Sequence, residues 1–295
     1  MGILTAQFFS NTMVLMALYA LLGSGFVVVY RASRVLNFAH GELMMLGGYF
    51  ALVLAPMFPG QIWVAIPIAL AISFALGGII YVLAMYRMIG QPIFAAIIVT
   101  IGLSILLRGL ATLIWLPDFQ YLTVSYGIDN TSHAMPWGAR MGTFDLAIIG
   151  AAVVYLGFLF LFYRYTRVGY QMRAAAENPT LASQRRINIY FLFALAWSLA
   201  TVGASLAGIL HGANGLLTPE LGMVGLMAFA VPLVGGMDSM LGVIPGAVLV
   251  GFTQNLAMRS PWPKVGIAAP MLVLLAVLLI RPWGLFGTKE EIERV

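Results

Sequence analysis

The chain contains no cysteine. Disulfides, thiol catalysis and thiolate metal sites are therefore excluded. Charge is scarce as well. Of 295 residues only 8% are Asp, Glu, Lys or Arg, where an ordinary soluble domain has about 25%. The three histidines, His40, His133 and His211, lie far apart, so neither a metal site nor a metal cofactor is predicted. The order G-x-x-x-x-G-K-[ST] is absent, and "GLFGTKE" near the end does not supply it. The chain thus lacks a P-loop for nucleotide phosphates. G-x-S-x-G is also missing, which removes the hydrolase elbow. No alternating ten-residue segments of a membrane β-barrel occur.

What is present is apolar. Hydrophobic residues make up 62% of the chain, and the mean hydropathy is +0.98. A soluble protein of this composition would have too little polar surface to stay dispersed. Runs of about 20 apolar residues recur from end to end, each long enough to cross a bilayer. The predicted fold is an all-α polytopic membrane protein, a single transmembrane domain over 1–295. Crossings are predicted at 8–30, 40–57, 62–86, 93–116, 144–164, 190–211, 240–258 and 265–286, with a short ninth segment at 223–237. "MGILTAQFFSNTM" has no basic n-region and no small-residue cleavage site, so it reads as the lead into a retained first helix.

The net charge of +5 reads as cytoplasmic loop charge, with no nucleic acid implied. Arg31 and Arg34 follow the first helix, Arg87 follows the third, and Arg164, Arg167, Arg173, Arg185 and Arg186 cluster between the fifth and sixth. With all three groups inside, the N-terminus lies outside. So does the loop from Pro117 to Thr143, which has Asp118, Asp129 and only Arg140. If 223–237 crosses fully, Arg281, Lys289 and Arg294 are inside while Arg259 and Lys264 are outside. A re-entrant segment reverses both. The first arrangement is preferred, since its inside set is larger.

Two regions are irregular. The second predicted helix has about 16 residues between His40 and Pro56, or about 24 Å, short of a bilayer core of about 30 Å. The 223–258 region is interrupted by Pro232, Gly235, Gly236, Gly242, Pro245 and Gly246. Short, Gly/Pro-broken segments in matching halves point to a substrate path between inverted repeats, although no repeat is visible in the letters. The pathway candidates are Asn37, His40, Glu42, Gly235 and Gly236. In "NFAHGE", His40 and Glu42 are two residues apart and do not share a helix face, and the spacing is not HExxH. Asn37 is placed to cap the helix, with Glu42 favouring its dipole. The same ionisable pair also admits a pathway or proton-relay role. Asp238 and Ser239 are placed to cap the helix that follows them.

The stretch "YRYTRVGYQMRAAAENPTLASQRRINI", Tyr163 to Ile189, predicts a short helix through Arg173 and Glu177. Its three alanines favour helix, and Asn178-Pro179 stops it. A second short helix capped by Thr180 follows, through Arg185 and Arg186. By spacing alone this loop is either a topology-setting basic loop or a docking element for a cytoplasmic partner.

"NFAHGELMMLGGY", "RVGYQMRAAAENPTLASQRRINI", "VGGMDSMLGVIPGAVLVG" and "LLIRPWGLFGTKE" occur in this order across nearly the whole chain. Together they resemble the LivH-type permeases, membrane subunits of bacterial ABC importers for branched-chain amino acids. Urea and short-amide permeases share these motifs. The resemblance implies a pore half in the bacterial inner membrane, without enzymatic activity of its own. Its implied partners are a second related permease, two cytoplasmic ATPases and an external substrate-binding protein. It also makes 164–189 the coupling loop, with Arg173, Glu177, Asn178, Pro179, Arg185 and Arg186 as the ATPase-docking residues. Val234 stands where the family often has Leu, and Pro232 where many members have a less rigid residue. These departures bear on substrate more than on fold. The competing functional reading is a self-sufficient proton-coupled transporter using His40 and Glu42. An intramembrane enzyme would need a nucleophile–base pair or a metal cluster, and neither is found.

Overall fold

The computed structural model describes residues 5–116, 118–177 and 179–288. Its elements are α-helices joined by short connections, with one external hairpin. Helix α1 (Ala6–Ser33) is followed by α2 (His40–Leu54), α3 (Ile62–Ile80) and α4 (Ile93–Trp115). Helix α3 runs on through a π turn at Tyr81–Met85 and a 3-10 turn at Tyr86–Met88. On the external side lie α5 (Leu122–Tyr126) and strands β1 (Ser132–Ala134) and β2 (Arg140–Gly142), paired antiparallel with His133 opposite Met141. Then come α6 (Thr143–Tyr165), α7 (Arg167–Glu177), α8 (Pro179–Gln184) and α9 (Ile189–Asn214). The chain ends with α10 (Leu221–Ala228), α11 (Ala230–Gly235), α12 (Val243–Met258) and α13 (Val265–Ile280). Among the described residues, five helices are long and apolar enough to cross a membrane: α1, α3 with its continuation, α4, α6 and α9.

Helices α1 and α9 are the most enclosed of these, and α4 is the least. The core therefore forms around α1 and α9, with α2 and α3 packed on them. Leu22, Val28, Met44, Tyr49, Trp197 and Ala204 are buried there. Small residues let the helices approach closely, as they must where lipid offers no hydrophobic drive for association. Polar staples add to the packing. Asn255 on α12 donates to the Phe8 carbonyl at 3.1 Å and to the Thr12 hydroxyl at 2.6 Å, and Tyr19 donates to Gln254. Bonds of this kind between membrane helices average about 0.6 kcal/mol.

Ends of helices fix the two sides. Arg259, after α12, reaches Thr5 at 3.4 Å and lies over the Phe8 ring, so it shares the outer side with the start of α1. The Gln7 side chain exchanges hydrogen bonds with the Arg140 backbone at the same end. At the other end Leu285 and Phe286 donate backbone bonds to Val234 and Gly235. Their neighbours Leu233, Pro282 and Trp283 line a cavity together with Tyr30, near the close of α1. Arg281 is thus on the Arg31 side and Arg259 on the opposite one, which is the preferred assignment. Lys289 and Arg294 lie outside the described residues.

One expectation is corrected. The crossing predicted from residue 40 does not begin level with the Ser33 end of α1. His40, its first residue, bonds the Leu22 carbonyl at 3.1 Å, and its ring abuts Gly25. Gly25 is eight residues, about 12 Å, inside the Ser33 end of α1. Residues 34–39 re-enter the bundle as non-helical chain. Because Val35, Leu36 and Phe38 are apolar, hydropathy gives no hint of this.

Candidate functional site

Two connections return into the bundle without a helix: 34–39, between α1 and α2, and 215–220, between α9 and α10. Non-helical backbone survives at membrane depth only where protein satisfies its polar groups. Here it does. The Asn37 carboxamide oxygen accepts from the Ala39 N–H at 3.1 Å, and the Asn37 carbonyl accepts from the His40 N–H at 3.2 Å. The Thr100 hydroxyl of α4 donates to the Leu36 carbonyl at 3.1 Å. In the second connection Leu217 and Gln120 exchange a pair of backbone bonds at 2.9 and 3.1 Å.

The two broken helices then run in opposite directions. Helix α2 runs outward, and its Ala51 carbonyl accepts from the Tyr126 hydroxyl of external α5 at 2.6 Å. Helices α10 and α11 run inward and end at Gly235, beside Phe286. Their starts meet. A Cβ on Gly41 would lie 2.1 Å from the Gly222 carbonyl oxygen, and one on Gly225 would lie 2.2 Å from the Gly41 Cα. Only glycine permits that crossing. The unpaired N–H groups of two helix starts, each with a partial positive charge, are thereby brought to one place.

Beside this crossing sits an ion pair. Arg108, on α4, donates from Nη2 to Glu42 Oε1 at 2.5 Å. The Glu42 side chain is 2% exposed and that of Arg108 is 40% exposed. Arg108 is seven residues, about 10 Å, inside the Trp115 end of α4. The first turn of α10 lies against the pair, since a Cβ on Gly222 would meet both Glu42 Oε1 and Arg108 Nη2 within 3.3 Å. Glu220, next to α10, is exposed. Glu42 is therefore held by a cation across the helix interface.

The other predicted residues divide. Asn37 is buried and makes a turn three residues before the helix, while Ala39 occupies the N-cap. His40 is buried against α1, with its ring 4.4 Å from that of Phe26. Its Nε2 donates to Leu22, and its Nδ1 has no partner among the described residues. His40 faces α1 and Glu42 faces α4, so the two do not meet. Gly235 and Gly236 are not in this cluster. They lie at the Arg31 end of the bundle, packed against the Gly242 and Gly287 backbones, with Gly236 at φ 109°. Asp238 does not cap α12. Its carboxylate accepts from Thr288, while the Ser239 hydroxyl accepts from the Gly242 N–H at 3.1 Å.

The 164–189 segment forms two helices, as predicted, with different bounds. Helix α8 begins at Pro179, so Thr180 is inside it and is not its cap. Proline suits a first helical position, where no N–H is needed. The helix stops at Gln184, before the arginines. Arg186 takes φ 60°. The Ile187 N–H bonds the Ala182 carbonyl, and the Arg186 N–H bonds that of Ser183, a Schellman cap with arginine in glycine's usual place. Glu177, Arg185 and Arg186 are exposed. Arg173 lies over the Tyr170 ring. Asn178 lies outside the described residues.

Arg108 was missed from sequence, yet a signal was there. It is the one charged residue in "IFAAIIVTIGLSILLRGLATLIW", and an intramembrane charge is a functional candidate by default.

A family model described as "Branched-chain amino acid transport system / permease component" matches residues 8–281. The chain belongs to this permease family. The LivH permease of the high-affinity branched-chain amino acid transport system of Escherichia coli K12 is 29% identical over 97% of this chain and 96% of its own. The BraD permease of Pseudomonas aeruginosa is 25% identical over 94% of each chain. Among solved structures, PsaBC from Streptococcus pneumoniae in complex with Fab is similar over 93% of this chain and 92% of that one, at 12% identity and a TM-score of 0.49. The permease is thus a multi-pass membrane transport component and not an enzyme.

Proposed function

We propose that this permease is one half of the membrane channel of an ABC importer for branched-chain amino acids in the bacterial inner membrane. A second, related permease supplies the other half. Two cytoplasmic ATPase chains dock on α7 and α8, and an external binding protein delivers substrate. The substrate is read from the relatives' names and from the family that the four motifs resemble.

The observation that carries the reading is the meeting of two half-helix starts beside the Arg108–Glu42 pair. The part-exposed Arg108 and the exposed carboxylate of Glu220 at membrane depth cannot face hydrocarbon; such groups face a protein interior or a water-filled path. The uncovered α4–α10 face, with Arg108, Glu220 and Met223, is then the one that meets the second permease and lines the path. Asn37 and His40 support it from behind. Gly235 and Gly236 contribute a tight turn at the cytoplasmic end of the same broken helix.

The separation of His40 from Glu42 disfavours a proton relay. The test is uptake of radiolabelled leucine, and separately urea and acetamide, by proteoliposomes holding the complete importer. Leucine uptake should require the binding protein and Mg-ATP, and should ignore a proton gradient. Uptake driven by a proton gradient without the ATPases would overturn the reading in favour of the proton-coupled carrier. Preferential uptake of urea or acetamide would move the substrate to short amides.

A further inference from the structure

On the side of the bundle formed by α1, α6 and α12 runs a groove of about 610 Å³. Met13, Met16, Val153, Leu156, Ile244 and Val248 line it, and it has no charged residue. Between Ile149 and Phe160 on α6 it extends eleven residues, about 16 Å along the helix axis. Its cytoplasmic end, at Phe160, Met240 and Leu241, is shared with a second cavity of about 450 Å³. That cavity is different in chemistry. Arg31, Arg164 and Arg173 converge on it from the ends of α1 and α6 and from α7.

None of the three arginines has a carboxylate within 4.0 Å among the described residues. Aromatic faces hold them instead. Arg31 lies over Tyr163 at 5.5 Å, Arg164 over Phe160 and Tyr165, and Arg173 over Tyr170. The one acid in the cavity is Asp238, and it is occupied by Thr288. Three guanidiniums against one engaged carboxylate leave a site that calls for an anion. A tail-sized apolar groove opening into an arginine pocket at the cytoplasmic interface matches an amphiphile with an anionic head. Basic pockets between helices on this side of a membrane recognise acidic lipid headgroups.

We propose that an anionic phospholipid occupies this composite site, one acyl chain in the α1–α6–α12 groove and its phosphate on Arg31, Arg164 and Arg173. The lipid ties the start of the cytoplasmic loop to the end of α1. Its place, on the α1–α6–α12 side, is separate from the α4–α10 face.

The experiment measures lipid binding to the purified full-length permease by native mass spectrometry and by thermal shift. Phosphatidylglycerol, phosphatidylcholine and glycerol 3-phosphate are compared. Phosphatidylglycerol should bind and raise the melting temperature, while phosphatidylcholine and the tail-less phosphate should do neither. Arg31→Gln with Arg164→Gln should weaken phosphatidylglycerol binding by roughly thirtyfold, about fivefold per guanidinium. Arg31→Lys with Arg164→Lys should retain most of it, which separates lost charge from misfolding. Nothing lies within 4 Å of a Cβ built on Gly157, so Gly157→Trp fills the groove without a backbone clash and should abolish binding with all arginines intact. Equal binding of phosphatidylcholine, undiminished phosphatidylglycerol binding in the Gln pair, or unaltered binding by Gly157→Trp would each overturn the proposal. So would stabilisation by glycerol 3-phosphate alone, which would make the pocket a simple anion site.

Discussion

Arg108→Met should be among the most damaging single changes in the membrane interior, and its damage should be repaired by a second change. Removing one member of a fully buried ion pair costs about 3–5 kcal/mol, because the other charge is stranded. Glu42 is 2% exposed and Arg108 is 40% exposed, so solvent at Arg108 already screens part of the attraction. Discounting for that leaves about 2–3 kcal/mol. The α2 and α10 starts oppose the loss by about 0.3–1 kcal/mol each, since helix N-termini favour an anion. Glu42→Gln keeps an oxygen for the guanidinium and should cost about 1–2 kcal/mol. In Glu42→Gln/Arg108→Met no charge is stranded, and residues in direct contact couple by about 0.5–3 kcal/mol. The assay is thermal unfolding of the purified importer in detergent, with ATP-dependent leucine uptake measured in parallel. The double variant should melt above Arg108→Met although it carries one more change. Melting of the double variant at or below Arg108→Met would refute the reasoning. Uptake need not recover with stability, because Arg108 also faces the path.

Gly41→Val should prevent the α2–α10 crossing, since its Cβ would sit 2.1 Å from the Gly222 carbonyl; overpacking costs about 1–3 kcal/mol or more, and recovery of monodisperse protein after purification reports it. Glu177→Arg, or a scrambled 169–189, should leave membrane insertion intact and uncouple ATP hydrolysis from uptake; normal uptake by the inserted scrambled variant would remove α7 and α8 from the coupling role. Arg186→Gly should stabilise the α8 cap by about 1 kcal/mol, because φ 60° costs a non-glycine residue about 1–2 kcal/mol; a lower melting temperature for this variant counts against the cap. The isolated permease should show no thermal shift with Mg-ATP, and a clear shift would contradict its lack of a nucleotide site.

The spans were legible because apolar length alone marks them. Helices α3, α4, α6 and α9 fall within a few residues of their predicted bounds. The broken segments were legible as anomalies: too short between His40 and Pro56, and too rich in Gly and Pro after 223. Their depth was not. Residues 34–39 and 215–220 read as ordinary connections, because Val35, Leu36, Leu216 and Leu217 are apolar either way. Hydropathy reports solvent preference and carries no information on distance from a membrane face. The opposed directions of α2 and α10 are likewise geometric and leave no trace in the letters. Glu42 was found by its rarity, and Arg108, equally rare in its helix, by the contact that Glu42 makes. In the 164–189 segment the end of the first helix at Glu177 was legible, while Asn178 lies outside the described residues. The second helix was placed too late because Pro179 begins it.

The central claim is that the α4–α10 face lines a water-filled path at membrane depth, and the absence of cysteine makes it directly measurable. Single substitutions Glu220→Cys and Met223→Cys are introduced into the complete importer in proteoliposomes. Leu279→Cys, on exposed α13, serves as the reference. Labelling rates with a charged, membrane-impermeant thiol reagent are compared with and without Mg-ATP and substrate. The account predicts reaction at 220 and 223 at rates that change during turnover, and no reaction at 279. Cysteines at 220 and 223 as inert as the one at 279, in an importer that still transports, would contradict it.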